Sequence, residues 1–208
     1  MTAEIIRADD PQMLVRAREV LLNGGLIVFP TDTVYGVAAA VERPDAVARL
    51  YVAKGRPLDR PIPVLIASLD QLERLAATID ERVRKLAAQF WPGALTIVVP
   101  AQPWLPPEVV RDTGAVGVRM PDHPVALAII RALGGALAVT SANRSGEREA
   151  RTAEEAFEAL GNQVELIVDG GTCPGGVPST VIALTPTGIT VMRHGAIDPA
   201  EIERALLS

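Results

Sequence analysis

Residues 26–36, Leu26-Ile27-Val28-Phe29-Pro30-Thr31-Asp32-Thr33-Val34-Tyr35-Gly36, join a continuous apolar run to a loop of hydroxyl and carboxyl side chains. The run at 26–29 is rich in β-forming residues, which is typical of a strand covered on both faces. Asn23-Gly24-Gly25 ends the helix that precedes it. A polar loop at the end of a buried strand is where α/β proteins place their chemistry. The stretch therefore predicts an α/β fold with a candidate site in this loop.

Helical and strand patterns alternate outward from this stretch to both ends of the chain. The patterns predict helices at 45–53, 69–90 with a break near 78–80, 124–133, 153–160 and after 198–199, and strands at 63–67, 94–99, 116–120, 136–139, 164–168, 179–184 and 189–193. No repeat, low-complexity tract or linker interrupts them. We therefore predict one α/β domain with a mixed sheet over 1–208.

Charge and composition restrict the classes of function. The 208 residues carry 20 Lys and Arg against 25 Asp and Glu, a net charge of -5. This balance argues against a chain whose main surface binds nucleic-acid backbones. Only two Trp, two Tyr and three Phe are available for stacking on bases. Any nucleic-acid contact should be local.

The single cysteine and the apolar runs indicate the compartment. Cys173 is the only cysteine, so it has no partner for an internal disulfide or a structural zinc site. Residues 1–10 do not have the pattern of a signal peptide, and no run approaches the roughly 20 apolar residues of a membrane span. These features predict a soluble protein of the reducing cytoplasm, without a membrane partner.

Cationic side chains occur at two places in the sequence where they could bind an anion. Lys54 and Arg56 flank Gly55 and are either a solvated pair or an anion-binding pair. Arg119 lies near the end of an apolar strand, where a buried cation needs an anionic partner. That partner is either an internal acid or a substrate carboxylate.

Hydroxyl and amide side chains cluster in other loops, and each cluster is either structural or part of a ligand site. Thr31-Asp32-Thr33 fits an Asx-type turn as well as a ligand site. Ser141 and Asn143 follow the predicted strand at 136–139 and suit either a capping turn or a site. Ser179 and Arg193 alone favour an ordinary sheet surface.

Several standard catalytic motifs are missing from the sequence. It contains no Walker loop, no G-x-G-x-x-G opening a helix after the first strand, and no G-x-S-x-G elbow. Its two histidines, His123 and His194, have no ligand spacing. The residues therefore predict no protein-held metal and no Ser-His-Asp hydrolase.

Six motifs occur in the order and approximate spacing of the YrdC-like family, which this chain resembles from about residue 23 to 195. The motifs are P-T-D-T-V-Y-G (30–36), K-G-R-P (54–57), V-G-V-R-M-P-D-H-P (116–124), S-A-N-R-S-G (141–146), P-S-T-V-I (178–182) and R-H-G (193–195). The resemblance implies a YrdC-like domain over 1–208, with a twisted sheet enclosing a concave cationic cavity. It also implies synthesis of threonylcarbamoyl-AMP from ATP, L-threonine and bicarbonate for a tRNA modification.

The resemblance further implies a role for each matching residue. Threonine would be contacted by Thr33, Arg119, Ser141 and Ser179. The nucleotide would be contacted by Lys54, Arg56, Asn143 and Arg193, with Lys54 and Arg56 as the catalytic cations. Mg²⁺ would arrive with ATP and be held mainly by phosphate and water. A downstream threonylcarbamoyl transferase complex and a weak tRNA contact are the implied partners.

Three positions depart from the family pattern. Arg60 stands where many members have Asn, Leu65 where they have His, and Ala115 where they have Thr, so the contacts of those family residues cannot be transferred. An RNA-binding module and a carbamoyl-transfer domain are the alternative functions. The acidic charge weighs against the first, and the single cysteine weighs against the multidomain, zinc-binding form of the second.

Overall fold

The computed structural model describes residues 2–207, which form a ten-stranded mixed sheet with helices on both faces. The strands are β1 (Glu4–Arg7), β2 (Ile27–Phe29), β3 (Gly36–Ala40), β4 (Val64–Leu65), β5 (Leu95–Pro100), β6 (Ala115–Arg119), β7 (Leu137–Ser141), β8 (Leu166–Asp169), β9 (Thr180–Thr185) and β10 (Gly188–Arg193). The helices are α1 (Met13–Leu22), α2 (Pro44–Lys54), α3 (Leu69–Leu75), α4 (Glu81–Phe90), α5 (Pro107–Val110), α6 (Pro124–Leu133), α7 (Ala153–Leu160) and α8 (Pro199–Leu207). A 3₁₀ turn spans Arg111–Thr113.

The strand order is β1-β8-β2-β3-β7-β4-β6-β5-β9-β10. Parallel pairs are β1/β8, β2/β8, β4/β6 and β5/β9, and the other neighbours are antiparallel. The prediction of an α/β fold with a mixed sheet is confirmed. Strand β2 is fully buried, as its unbroken apolar run predicts.

Alternate strand residues face two separate apolar clusters. Val28 belongs to the cluster beneath α2, α4, α7 and α8, whereas Ile27 and Phe29 belong to the cluster beneath α1 and α6. The same alternation continues in β5, where Leu95 and Ile97 join the first cluster and Thr96 points to the opposite face. That opposite face carries the polar strand residues discussed below.

Most predicted elements are present, with shifted ends. Helices α6 and α7 have the predicted bounds, and Thr152 caps α7 by accepting a hydrogen bond from the Glu155 N–H. Helix α2 spans Pro44–Lys54 and is one residue longer at each end than the predicted helix at 45–53. Gly55 follows it with φ of 58°, so the helix ends in the left-handed conformation that favours glycine.

Candidate active site

An open cavity of about 280 Å³ is lined by residues from distant parts of the chain. It contains all eight residues to which the sequence analysis gave a role, namely Thr33, Lys54, Arg56, Arg119, Ser141, Asn143, Ser179 and Arg193. Arg60 also lines it, so five cationic side chains border one space. The acids among its lining residues are Glu147 and Glu149. The cavity is therefore polar and predominantly cationic.

The loop after β2 forms one wall and is fixed by its own side chains. Thr31 Oγ1 donates to the Val34 carbonyl at 2.7 Å and accepts from the Thr33 and Val34 N–H groups. Thr31 and Thr33 are 3 % and 4 % exposed, so burial and these bonds restrict the Thr33 hydroxyl, which lies 3.0 Å from Thr31 Oγ1. The sequence predicted a turn here, and a turn is present, but the Thr31 hydroxyl makes its hydrogen bonds and the Asp32 carboxylate pairs with Arg119. The turn also lines the cavity.

Arg119 has an internal acid and faces the cavity at the same time. Its NH2 group donates to Asp32 Oδ1 at 2.5 Å, NH1 donates to Thr33 Oγ1 at 3.1 Å, and Nε donates to the Gly93 carbonyl at 2.9 Å. The side chains of Arg119 and Asp32 are 7 % and 15 % exposed. Burial lowers the pKa of Arg119, and the Asp32 carboxylate acts in the opposite sense. Each terminal nitrogen retains one N–H for a further acceptor.

Lys54 is buried at the end of α2, and its ammonium contacts the loop after β7. Nζ donates to the carbonyl oxygens of Ser141 and Asn143, and to Asn143 Oδ1 at 3.2 Å. Burial and the neighbouring charge of Arg56 lower the pKa of Lys54 to about 7. An ammonium has three donors, and all three have acceptors within the protein. The geometry shows Lys54 holding the loop that carries Ser141 and Asn143.

Arg56 stabilises the segment that follows α2. Its Nε donates to the Arg60 carbonyl at 3.1 Å and its NH2 donates to the Pro61 carbonyl at 3.0 Å. Burial lowers the pKa of Arg56, and the charge of Arg60 acts in the same direction. The NH1 group remains available to an anion.

Ser179 lies between two side chains on the far wall. Its hydroxyl is 2.8 Å from Thr96 Oγ1 and accepts from Arg193 NH2 at 2.9 Å. Arg193 also donates from Nε and NH2 to the Ser179 carbonyl. Desolvation and the charge of Arg119 lower the pKa of Arg193. Arg193 therefore positions Ser179 and keeps NH1 for another acceptor.

Among the cavity residues to which the sequence analysis gave no role, two bear directly on the site. Thr96 is 1 % exposed and bonds to Ser179; its signal was a lone hydroxyl inside the apolar strand Leu95–Pro100. Glu149 lines the cavity, and its charge opposes the lowering of the pKa of Lys54 and Arg193. In the sequence it looked like one more charge of a solvated loop.

The acidic residues do not form a dedicated metal cage in the part of the chain that the structure describes. Residues 2–207 contain no group of three His, Cys, Asp or Glu side chains able to hold a metal ion. Across the same residues, no helix has both the length and the apolarity needed to span a membrane.

The comparisons with known proteins identify the family of the chain. The family model Sua5_yciO_yrdC, described as "Telomere recombination", matches residues 19–195. The chain is 41 % identical over 202 residues to the threonylcarbamoyl-AMP synthase of Bacillus subtilis, covering 97 % of this chain and 58 % of that protein. The chain therefore spans little more than half the length of this relative.

Solved structures extend the similarity to the fold. The crystal structure of P. abyssi Sua5 complexed with L-threonine superposes with a TM-score of 0.93 at 38 % identity, covering 99 % of this chain and 61 % of that one. The crystal structure of E. coli YciO superposes with a TM-score of 0.84 at 28 % identity, covering 94 % of this chain and 97 % of that one.

Proposed function

Because the chain belongs to the Sua5/YciO/YrdC family, we propose that it synthesises threonylcarbamoyl-AMP from ATP, L-threonine and bicarbonate. The observation that carries the proposal is the convergence of eight predicted residues on one cationic cavity. Those residues come from six segments that are far apart in the sequence, and the fold brings them together. A relative crystallised with L-threonine supports the choice of amino acid.

The reaction joins two anions, and the cavity suits that task. The threonine amine and bicarbonate form a carbamate with loss of water. A carbamate oxygen then bonds to the α-phosphorus of ATP, the bond to the bridging oxygen breaks, and pyrophosphate leaves with that electron pair. Holding both reactants in place and offsetting their charge are the protein's main contributions.

We assign each cavity side chain the role that the family resemblance implies, with Lys54 reassigned from its contacts. Arg119 offers two N–H groups to the threonine carboxylate, supported by Asp32. Thr33, Ser141 and Ser179 provide short hydroxyl groups that orient the amino acid. Asn143, Arg56 and Arg193 serve the nucleotide, whereas Lys54 acts on the reaction by holding the loop that carries Ser141 and Asn143.

Magnesium would enter the cavity bound to ATP, and the carboxylate of Glu149 lines the same cavity. The ion would supply charge neutralisation on the phosphates. We place the reaction in the cytoplasm, where ATP and tRNA are available. The product would pass to a threonylcarbamoyl transferase complex, and any tRNA contact would be weak because the chain carries a net charge of -5.

Pyrophosphate release tests the proposal directly. The purified chain is incubated with ATP, Mg²⁺, L-threonine and bicarbonate, and each is omitted in turn while the adenylate product is followed by mass spectrometry. We expect pyrophosphate and the adenylate to appear only in the complete mixture. Release that continues at the same rate without threonine would refute the synthase function.

A further inference from the structure

A glycine-rich segment, residues 170–178, connects two walls of the cavity. It follows β8, contains no helix or strand, and ends directly before Ser179. We call this segment the strap. Its far end is continuous with the wall that carries Ser179, and its middle lies against the loop after β2 that carries Thr33. Because the strap has no regular structure of its own, its shape depends on these contacts.

The Tyr35 side chain fastens the first part of the strap. Its hydroxyl donates to the Gly171 carbonyl at 2.7 Å and accepts from the Gly170 N–H at 3.2 Å. Tyr35 is fully buried, and burial raises the pKa of its hydroxyl to about 12. The hydroxyl therefore stays protonated at neutral pH and keeps its donor. Because Tyr35 is two residues from Thr33, these bonds tie the strap to the Thr33 loop.

The second part of the strap touches the backbone of the same loop. The Gly176 N–H donates to the Thr33 carbonyl at 2.7 Å. At Gly175 an added Cβ atom would lie 2.6 Å from the Asp32 carbonyl oxygen and 3.1 Å from Thr33 Cα. A side chain at position 175 would therefore push the strap and the loop apart, and glycine permits the close approach.

The strap thus holds the backbone of residues whose hydroxyl groups line the cavity. The Thr33 hydroxyl accepts from Arg119 NH1 at 3.1 Å, and the Ser179 hydroxyl lies 2.8 Å from Thr96 Oγ1. Thr33 and Ser179 are both assigned to threonine in the proposed function. A displaced strap would change the separation between these two hydroxyl groups.

We propose that Tyr35 and Gly175 are positioning residues, which hold the strap against the loop after β2 and so set the separation of the Thr33 and Ser179 hydroxyls for the amino acid. The inference rests on the proposed function. It concerns how the cavity is kept in shape, since Gly175 lies outside the cavity lining.

The nucleotide contacts are held by other segments. Arg56 donates to the carbonyls of Arg60 and Pro61. The Asn143 amide donates to the carbonyls of Arg144 and Glu147. A change in the strap should therefore weaken threonine recognition more than ATP recognition.

Tyr35→Phe tests this inference, with Tyr51→Phe as the matched control. The Tyr51 hydroxyl also belongs to a buried side chain and donates to two backbone carbonyls, those of Arg60 and Glu108, outside the strap. Calorimetric titration should show threonine affinity about tenfold weaker for Tyr35→Phe and within about twofold of the wild type for Tyr51→Phe. The apparent ATP constant of Tyr35→Phe should change less than about threefold. Equal threonine affinities in the two variants would overturn the inference.

Gly175→Ala and Gly188→Ala provide a second matched pair. An alanine Cβ at position 188 meets no atom within 4 Å. Gly175→Ala should weaken threonine binding about tenfold, in the same titration, and Gly188→Ala should leave it unchanged. If Gly175→Ala weakened threonine and ATP equally and lowered the melting temperature, Gly175 would be merely structural and its positioning role would be refuted.

Amide hydrogen exchange separates the inference from the proposed function, because it needs no substrate. The Gly176 N–H, measured by NMR, should exchange at least about tenfold faster in Tyr35→Phe than in the wild type or Tyr51→Phe, since the strap then opens more often. Unchanged exchange would overturn the role of Tyr35 and leave the function intact. Pyrophosphate release that does not require threonine in the wild type would refute the function, whatever the exchange rate.

Discussion

At the scale of single residues, the buried ion pair between Arg119 and Asp32 answers a question that the sequence left open. Sequence reasoning required an anion near Arg119 and offered an internal acid or a substrate. The structure provides the acid, 2.5 Å away, and still leaves the guanidinium at the cavity wall. If Arg119 binds the threonine carboxylate as proposed, Asp32 orients the guanidinium for it.

Asp32→Asn should weaken threonine binding more than ATP binding and also lower stability. Removing one charge of a buried pair costs about 3 to 5 kcal/mol, and because Asn keeps an acceptor oxygen we expect about 2 to 3 kcal/mol. Urea unfolding and separate titrations of the two ligands provide the measurements. Asp80→Asn is the control, since Asp80 pairs with Arg82 at the surface. Unchanged threonine affinity would remove Asp32 from this role.

Lys54 should produce a pH dependence of stability. Its pKa is lowered to about 7 in the folded state and is near 10.4 in an unfolded chain. Between these values the unfolded state binds more protons, so the free energy of unfolding should rise with pH from about 7 to about 10. Lys54→Met should flatten this rise in urea titrations at several pH values. An identical slope in both proteins would mean that the three oxygen acceptors keep Lys54 charged.

The predicted site residues came mainly from motif resemblance. Arguments from single residues were ambiguous, because a side-chain hydroxyl that stabilises a turn and one that binds a ligand occur in the same local sequence pattern. Thr96 shows the limit of this approach. Its neighbours along the strand are buried in the apolar cluster, and only the pairing of β5 with β6 and β9 places its hydroxyl in the cavity beside Ser179.

At the scale of elements, helices were easier to predict than short strands. Helix α6 combines a proline in its first turn with Gly134 at its end, where φ is 75°, and these local signals fix both bounds. Strand β3 has the sequence GVAAA and is completely buried. Its alanines favour helix intrinsically, so pairing with β2 and β7 determines its conformation. The four-residue strand β1 likewise depends on its pairing with β8.

Helix capping gives a matched pair of variants at this scale. Thr152 accepts a hydrogen bond from the Glu155 N–H at 3.2 Å at the start of α7, whereas Ser68 precedes α3 without a side-chain cap bond. Thr152→Ala should lower the free energy of unfolding by about 1 kcal/mol. Ser68→Ala should have a clearly smaller effect in the same urea titration. Equal effects would show that side-chain capping contributes nothing specific to α7.

At the scale of the whole molecule, the sheet brings the two groups of predicted ligand contacts into one cavity. Ser141, a predicted threonine contact, and Asn143, a predicted nucleotide contact, are two residues apart. Lys54 bonds to the carbonyl oxygens of both. If binding of one substrate restricts this loop, binding of the other substrate then costs less conformational entropy.

Threonine and ATP should consequently strengthen each other's binding. The affinity for ATP should rise about fivefold or more at saturating threonine, and thermodynamic linkage requires the same factor for threonine at saturating ATP. Calorimetry without bicarbonate measures both factors because no carbamate forms. Lys54→Met should increase the coupling, because a loop without its tie to α2 has more conformational freedom for the first substrate to remove. Arg18→Ala, at an exposed position of α1, should leave the coupling unchanged. Independent binding of the two substrates to the wild type would show that the loop is already rigid without them, and the coupling through Lys54 would then be excluded.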